Sequence, residues 1–367
     1  MAVDLISNGR AQGDIARRML QDRKLDPNRM RPFEEDGESY FSIYKGGDPT
    51  LESNYEIIPA LNTNATLRRD EWKALDEAVV RAADYRLGGI DDLIAKGLTF
   101  QLGNAMGTTV LEWHDVQGNL EASISMDGVS RAENNRPDFK YNYMPIPIIH
   151  VDYEINFREL ETSRNMGNAL DTTMAERATR AVKEQLENML FTNTTFAYGE
   201  KDAHNRNKIY SYVNHPDRNL ATLQFAWDDS ATTGKDIVDE IISWKQASID
   251  DRHYGPWQIY IPPAYETKLD EDYTDSNPDT RPGTTIRQRI MAIDKIAGIK
   301  VIDTLAADNV LFIQMTPDVV RLVQGLPLQN VEWQTEGKFV TKFKVLTIQV
   351  PQIRSDADGR SGLLHIS

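Results

Sequence analysis

From Asp70 onward apolar residues recur at helical spacing. Trp72, Leu75, Val79, Ala82 and Ala83 share one face, and a second short helical run, Ile90 to Lys96, follows a Gly88-Gly89 break. Between Thr108 and Val129 the period falls to two: Val110, Glu112, His114 and Val116 lie on one side, and Leu111, Trp113 and Asp115 on the other. Gln117-Gly118-Asn119 is placed to turn that strand into a second one, Leu120 to Met126, which predicts a hairpin. After a polar stretch, Ser130 to Lys140, alternation returns from Ile146 to Phe157 and predicts a strand with one buried and one wet face. The strongest helical signal follows. Asp171 or Thr173 can cap it, Thr173-x-x-Glu176 reads as a capping box, and Met174, Ala178, Ala181, Val182, Gln185, Leu186, Met189 and Leu190 form a nearly continuous stripe. A helix over 171–191 spans about 30 Å, long enough to act as a spine for other elements.

A loop-rich stretch, 193–233, precedes a predicted helix from Lys235 to Asp250 with Ile237, Val238, Ile241, Ile242 and Trp244 facing inward. Gln258 to Pro262, Ile299 to Asp303, Val310 to Met315 and Val319 to Val323 read as strands, and Thr284 to Met291 as a short helix. From Val331 the chain alternates in long strands, with Asp358-Gly359 as a last hairpin turn. The class is α+β, with no internal repeat. Residues 1–66 differ: they are polar, interrupted by Pro27, Pro32, Pro49 and Pro59, and carry one short helical pattern from Asp14 to Lys24. They predict an extended arm, stable only when it lies on something else.

Composition narrows the function. The 367 residues, 40% hydrophobic and 26% charged, suffice for one large or two modest domains and exclude disorder and collagen-like repeats. No run approaches the ~20 apolar residues of a membrane helix. Met1 to Leu20 lacks the apolar stretch of a signal peptide, so a soluble, cytosolically made protein is expected. Zero cysteines exclude disulfide scaffolds, thiol nucleophiles, zinc ribbons and iron–sulfur clusters. With 41 Lys+Arg against 56 Asp+Glu, the net charge of -15 opposes the counterion release that drives DNA binding. A nucleic-acid reader is not expected.

Catalytic signals are weak. The six histidines never fall at metal-binding spacing, and no nucleophile elbow, zinc-protease, phosphate-loop or dinucleotide motif occurs. The acidic run Asp270, Glu271, Asp272, Asp275, Asp279 lacks the spacing of a calcium loop and reads as solvated, and Asp356 and Asp358 before Gly359 read as turn chemistry. The adjacent carboxylates Asp228/Asp229 and Asp250/Asp251 are the material for an acidic hydrolase, but neighbours on a strand point to opposite faces.

The order of arm, helix, long hairpin, strand, spine helix, mixed α+β insertion and terminal sheet resembles the major capsid proteins of tailed phages, the Hong Kong 97 fold, and the related encapsulin shells. The stretch Met144 to Asn193, MPIPIIHVDYEINFRELETSRNMGNALDTTMAERATRAVKEQLENMLFTN, carries the resemblance. It contains a proline-bounded apolar strand, the turn Arg158-Glu159-Leu160, a loop near Gly167 and a long helix ending at Glu187 to Phe191. Upstream, Gly107 to Trp113 (GTTVLEW) and Met126 to Gly128 resemble the projecting hairpin called the E-loop. The likeness runs from about residue 68 to the end, most closely over 70–195, and omits the arm.

The resemblance implies an N-terminal arm (1–66), a helical segment of the arm or peripheral domain (67–107), an E-loop (108–145) and a peripheral domain (146–219) with its spine helix at 171–191. An axial domain (220–325) and C-terminal peripheral strands (326–367) complete it. It implies a shell protein rather than an enzyme, with no cofactor or metal. Many copies, as pentamers and hexamers, would close into an icosahedral capsid around double-stranded DNA held without sequence-specific binding. Portal, scaffold and decoration proteins would be further partners, with no membrane, and the product would reside in the virion after synthesis in the host bacterial cytoplasm. Trp113 sits on a thin hairpin with little of its own domain to pack against, so with Leu111 on the same side it is a candidate inter-subunit anchor. Arg131 and Arg136, near the hairpin base, are candidates to pair with a neighbouring chain's acids. Some capsids of this fold crosslink an E-loop lysine to an asparagine. The stretch Thr108 to Phe139 has no lysine, so stability is expected to rest on burial or decoration. The arm is too short and proline-rich for a built-in scaffold, so a separate one is expected. An encapsulin nanocompartment holding a cargo enzyme is the alternative, and it predicts a compact N-terminal helix in place of the arm.

Overall fold

The computed structural model describes residues 5–7, 10–12, 30–35, 38–45, 48, 50–60, 69–83, 87–117, 126, 138–156, 158, 162, 172–193, 196–198, 208–273, 283–334, 340–356 and 358–367. Strands β1 (Leu5–Ser7), β2 (Arg10–Gln12), β3 (Met30–Glu35), β4 (Glu38–Tyr44) and β5 (Tyr55–Ala60) precede helices α1 (Arg69–Ala83) and α2 (Gly88–Ala95). Strands β6 (Thr99–Gln101), β7 (Val110–Gln117), β8 (Asp138–Pro145) and β9 (Ile149–Asn156) then lead to the spine helix α3 (Thr173–Phe191). The chain continues with β10 (Phe196–Ala197), β11 (Lys208–Ile209), β12 (Asn219–Ala221), α4 (Gly234–Asp250), β13 (Trp257–Ile261) and α5 (Ile286–Met291). Strands β14 (Ile296–Val301), β15 (Val310–Gln314), β16 (Val320–Gln334), β17 (Val340–Ile353) and β18 (Leu363–Ile366) complete this α+β order.

The chain forms two compact units. The first comprises Met1–Tyr85, Ile148–Gln185 and Leu326–Ile348. Its core gathers Trp72 and Leu75 of α1, Tyr153 of β9, Ala175, Ala178 and Val182 of α3, and Phe343 and Val345 of β17. Phe343 stacks on Tyr153 at 5.1 Å and meets Trp72 edge-on at 6.0 Å, the offset and T-shaped arrangements that aromatic quadrupoles favour. Strand β9 pairs antiparallel with β17 from Val340↔Asn156 to Thr347↔Ile149. Lys342 therefore faces Glu154, and Lys344 bonds Asp152 at 3.3 Å, on the solvated side.

The extended-arm expectation fails over 30–60. Strands β3, β4 and β5 form an antiparallel sheet within this first unit. Its central strand is covered on both faces: Phe41, Ser42 and Ile43 are 0%, 2% and 6% exposed. The prolines that argued against a sheet fit it, because Pro32 and Pro59 stand on the two outer strands, where a missing N–H costs no ladder bond to a second neighbour. Arg31 joins this sheet to α1. Its guanidinium forms a buried ion pair with Asp76 and lies 5.0 Å from the centre of the Trp72 ring and 5.9 Å from that of Tyr44. Tyr55 donates a second hydrogen bond to Asp76, at 3.2 Å, so the buried carboxylate is shared between two donors. The helical pattern from Asp14 to Lys24 lies outside the described residues.

The second unit comprises Arg86–Pro147, Leu186–Gly325 and Gln349–Ser367. A five-stranded mixed sheet, ordered β12-β18-β15-β13-β14, carries α4 and α5 over a core of Trp227, Ile241, Trp244, Ile259, Phe312 and Leu364 among others. Both helices begin with complete capping boxes, Thr233 with Asp236 and Thr285 with Gln288. The box expected at Thr173 is not the arrangement found, since Thr173 is already helical and it is Thr172 whose hydroxyl meets Glu176, at 3.4 Å. The stripe of α3 is also rotated from expectation. Met174, Ala181 and Gln185 are exposed, while Ala175, Thr179 and the acidic Glu187 are buried. Asp358-Gly359 makes a turn with Gly359 at φ 79°, but not a hairpin: β18 pairs with β12 and β15, not with β17.

Gly88 and Gly89 do not break the chain between two helices; they open α2. A Cβ on Gly89 would lie 2.2 Å from Cε2 of the buried Phe191 ring, whereas one on Gly88 would meet nothing closer than Lys300 at 3.7 Å. Gly89→Ala should therefore lower stability by roughly 1–3 kcal/mol through overpacking, with Gly88→Ala near neutral, as read from urea midpoints at constant m. His365 gives a second prediction. Burial, and then the charge of Arg218, lower its pKa to about 4, and the neutral ring sits 2.7 Å from Asn309 Oδ1. A depressed histidine contributes stability above its unfolded range, near 6.5, and loses it as pH falls toward 4. The stability advantage of wild type over His365→Gln should accordingly be largest at pH 7 and shrink at pH 5 in parallel urea titrations.

Candidate assembly interface

The ribbon is built from β7 and β8, paired antiparallel from Val110↔Pro145 to Gln117↔Asp138. The strand from Leu120 to Met126 was expected as the partner of β7; the partner is 138–145 instead. The signal was present, because Phe139, Tyr141, Tyr143 and Pro145 alternate with Lys140, Asn142 and Met144, yet the acids and amides before them made the stretch read as a polar loop. Pairing with the nearer segment would need a tight turn at Gln117-Gly118-Asn119. The farther segment offers β7 a partner rich in aromatic residues, which favour strands.

Among the described side chains of the ribbon only Met144 and Pro145 are buried, both at its base. Trp113 is half-buried and stands across from Asn142, and Leu111 is half-buried across from Met144. On the other face His114 and Tyr141 form a tilted ring pair at 6.4 Å, with Tyr141 49% exposed. Sequence reading missed Tyr141, which needed the correct register to be placed beside His114. The structure thus brings Leu111 and Trp113 onto one face. Arg131 and Arg136 lie outside the described residues. A two-stranded ribbon is marginal alone, since three strands or a packed layer are needed for independent stability.

The hydrolase alternative gains no site. Asp228 and Asp229 lie in the exposed turns before α4, where Asp229 accepts a hydrogen bond from the Ala231 N–H at 3.0 Å. Asp250 ends α4, accepting from Gln246 at 2.8 Å, and Asp251 accepts from Asn219 at 2.5 Å. Neither pair is on a strand, so the objection from strand geometry gives way to a simpler one: three of these carboxylates already serve local polar bonds. Asp270 pairs with Arg287 at 3.0 Å and Glu271 with Lys268 at 3.0 Å, as suits a solvated stretch. Among the described residues, no three His, Asp or Glu side chains converge as a metal site.

These elements define the class: the fold is that of Hong Kong 97-type capsid proteins. It is shared with the virus-like particle from Pyrococcus furiosus, at a TM-score of 0.53 and 16% identity over 82% of this chain and 99% of that one. The capsid of Myoviridae phage XM1 matches at a TM-score of 0.56 and 8% identity over 76% of this chain and 91% of that one. Residues 62–366 match the family described as "Family of unknown function (DUF6260)", and the chain belongs to that family.

Because Trp113 is half-buried by its own chain, Trp113→Ala should lower the unfolding free energy of the unassembled protomer by about 1–2 kcal/mol, less than the ~3–5 kcal/mol of a fully buried tryptophan. A chemical-denaturation titration at low protein concentration reads this directly.

Proposed function

We propose that this chain is a structural shell protein whose copies assemble into the icosahedral capsid of a phage. One observation supports the reading: a two-stranded ribbon on a capsid-type fold on which His114 and Tyr141 are exposed and Trp113 and Leu111 keep part of their surface without cover. The partner that supplies such cover repeatedly, through a heterologous contact with a closing rotation, is another copy of the same chain. In this reading 108–145 is the E-loop, 146–219 and 326–367 contribute the peripheral domain, and 220–325 is the axial domain around each symmetry axis. Strand β18 belongs by pairing to the sheet of the axial segment, so the last residues would serve that domain. Leu111 and Trp113 are the inter-subunit anchors, with Arg131 and Arg136 as flanking cations.

The net charge of -15 suits a wall that holds DNA without adhering to it, with packaging driven from outside. Portal, scaffold and decoration proteins are the further partners of this reading, and the host bacterial cytoplasm its place of synthesis. The nanocompartment alternative expects a compact helix at the start of the chain, whereas the described residues of 30–60 are mainly strands. That favours the phage capsid.

Negative-stain microscopy and sedimentation of the purified full chain at high concentration test the proposal. Rings, curved sheets or closed particles are expected, and Trp113→Ala should lower the assembled fraction at least tenfold while the protomer stays folded. A monodisperse monomer or dimer would overturn it. Closed empty shells from the chain alone would remove the need for a separate scaffold, and DNA in particles from infected cells separates a virion from a nanocompartment.

A further inference from the structure

Helix α2 lacks a cap of its own. Leu87 at its N-cap position offers no side-chain acceptor, and a helix start leaves its first N–H groups without intrahelical partners. The spine helix supplies the acceptor from nearly a hundred residues away. Gly89 N–H donates to Glu187 Oε1 at 2.9 Å and Ile90 N–H to Glu187 Oε2 at 3.4 Å. The approach is close because Gly89 has no side chain to hold the Phe191 ring off. Glu187 is only 2% exposed, so its carboxyl sits in a largely water-free contact between the two helices.

The charges that act on Glu187 are acidic. From α2, Asp91 and Asp92 are the charges that bear on it, both negative. The nearby cation of β14, Lys300, is ion-paired with Asp92. Tyr260 of β13 donates to the other oxygen of Asp92, at 3.1 Å, and Lys96 donates to Gln258 at 2.6 Å. Tyr212, packed on Phe191 at 5.5 Å, has a buried hydroxyl with no hydrogen-bond partner among the described residues. Among the described residues no cation pairs with Glu187, and its carboxylate accepts from two backbone N–H groups.

We propose that Glu187 is a proton-operated clamp between α2 and the spine helix, tight when its carboxyl is protonated and loosened when it ionises. The protonated acid keeps a carbonyl oxygen for Gly89 and sheds the charge that Asp91 and Asp92 repel. Burial is the largest influence and raises the pKa to about 7. The two N–H bonds pull the other way, and Asp91 and Asp92 add to the rise. When α2 lifts away, Glu187 meets water and returns to the ordinary carboxylate range near 4.5. An acid with a raised folded value contributes stability at low pH that is lost as pH climbs toward that value. Opening is therefore favoured from slightly acidic pH upward, levelling off above about 7.

Hydrogen–deuterium exchange of the full chain tests this, following peptides over 87–95 from pH 5 to pH 8 and correcting for intrinsic base-catalysed exchange. Wild-type protection should fall by about 70-fold across that range, the ratio given by carboxyl values of 4.5 and about 7. Glu187→Gln, which cannot ionise, should show no such slope. Asp91→Asn, an exposed change that removes one repelling charge, should move the levelling-off to lower pH. The clamp is overturned if wild-type protection is independent of pH, if Glu187→Gln keeps the wild-type slope, or if Asp91→Asn leaves the levelling-off in place. Should Glu187→Gln fail to fold, the wild-type and Asp91→Asn measurements still decide.

Discussion

A ribbon of two strands has two faces and no second layer, and this constraint shapes the rest of the molecule. Strands β7 and β8 pair along their facing edges, yet they leave His114 and Tyr141 exposed and Trp113 and Leu111 only half-buried. Elsewhere the same chain covers comparable side chains thoroughly: Trp72, Trp227 and Trp257 are all essentially inaccessible. The contrast is not one of composition, because aromatic residues are present in both places. It is one of layers, since every other large sheet packs a helix or a second set of strands on at least one face.

The described part of the leading segment does not share that incompleteness. Residues 30–60 contribute a sheet whose middle strand is covered on both faces and anchored by the Arg31–Asp76 pair. A buried pair of this kind adds little net stability over an apolar isostere, because desolvation offsets attraction, but it disfavours any arrangement in which either partner is left alone. The stacking of Arg31 on Trp72 ties that specificity to the aromatic cluster of α1, β9 and β17.

Acidity runs through the chain, and the second unit contains two buried titratable side chains with opposite tendencies. Glu187 prefers to be protonated where it sits, and His365 prefers to be neutral. Both avoid charge for the same reason, the cost of taking an ion out of water, yet one loses stability as pH rises and the other as it falls. Across mildly acidic pH these two slopes oppose each other.

The sequence by itself determined the class, the spine helix, the helices over 69–83 and 234–250 and the strand over 149–156, because period and length need no distant partner to be read. What only the tertiary structure decided was pairing and burial of the exceptions. The partner of β7 lies twenty residues beyond the apparent turn, since register is set by which strand supplies the better cross-strand neighbours. Pro32 and Pro59 stand on edge strands, a position invisible before the sheet order is known. Glu187 looked like one more charge on a helix, and the last strand looked like the return of a hairpin. Each was placed by residues far away in the chain: a carboxyl is buried or solvated according to what packs over it, and the last strand found partners on both sides, β12 and β15.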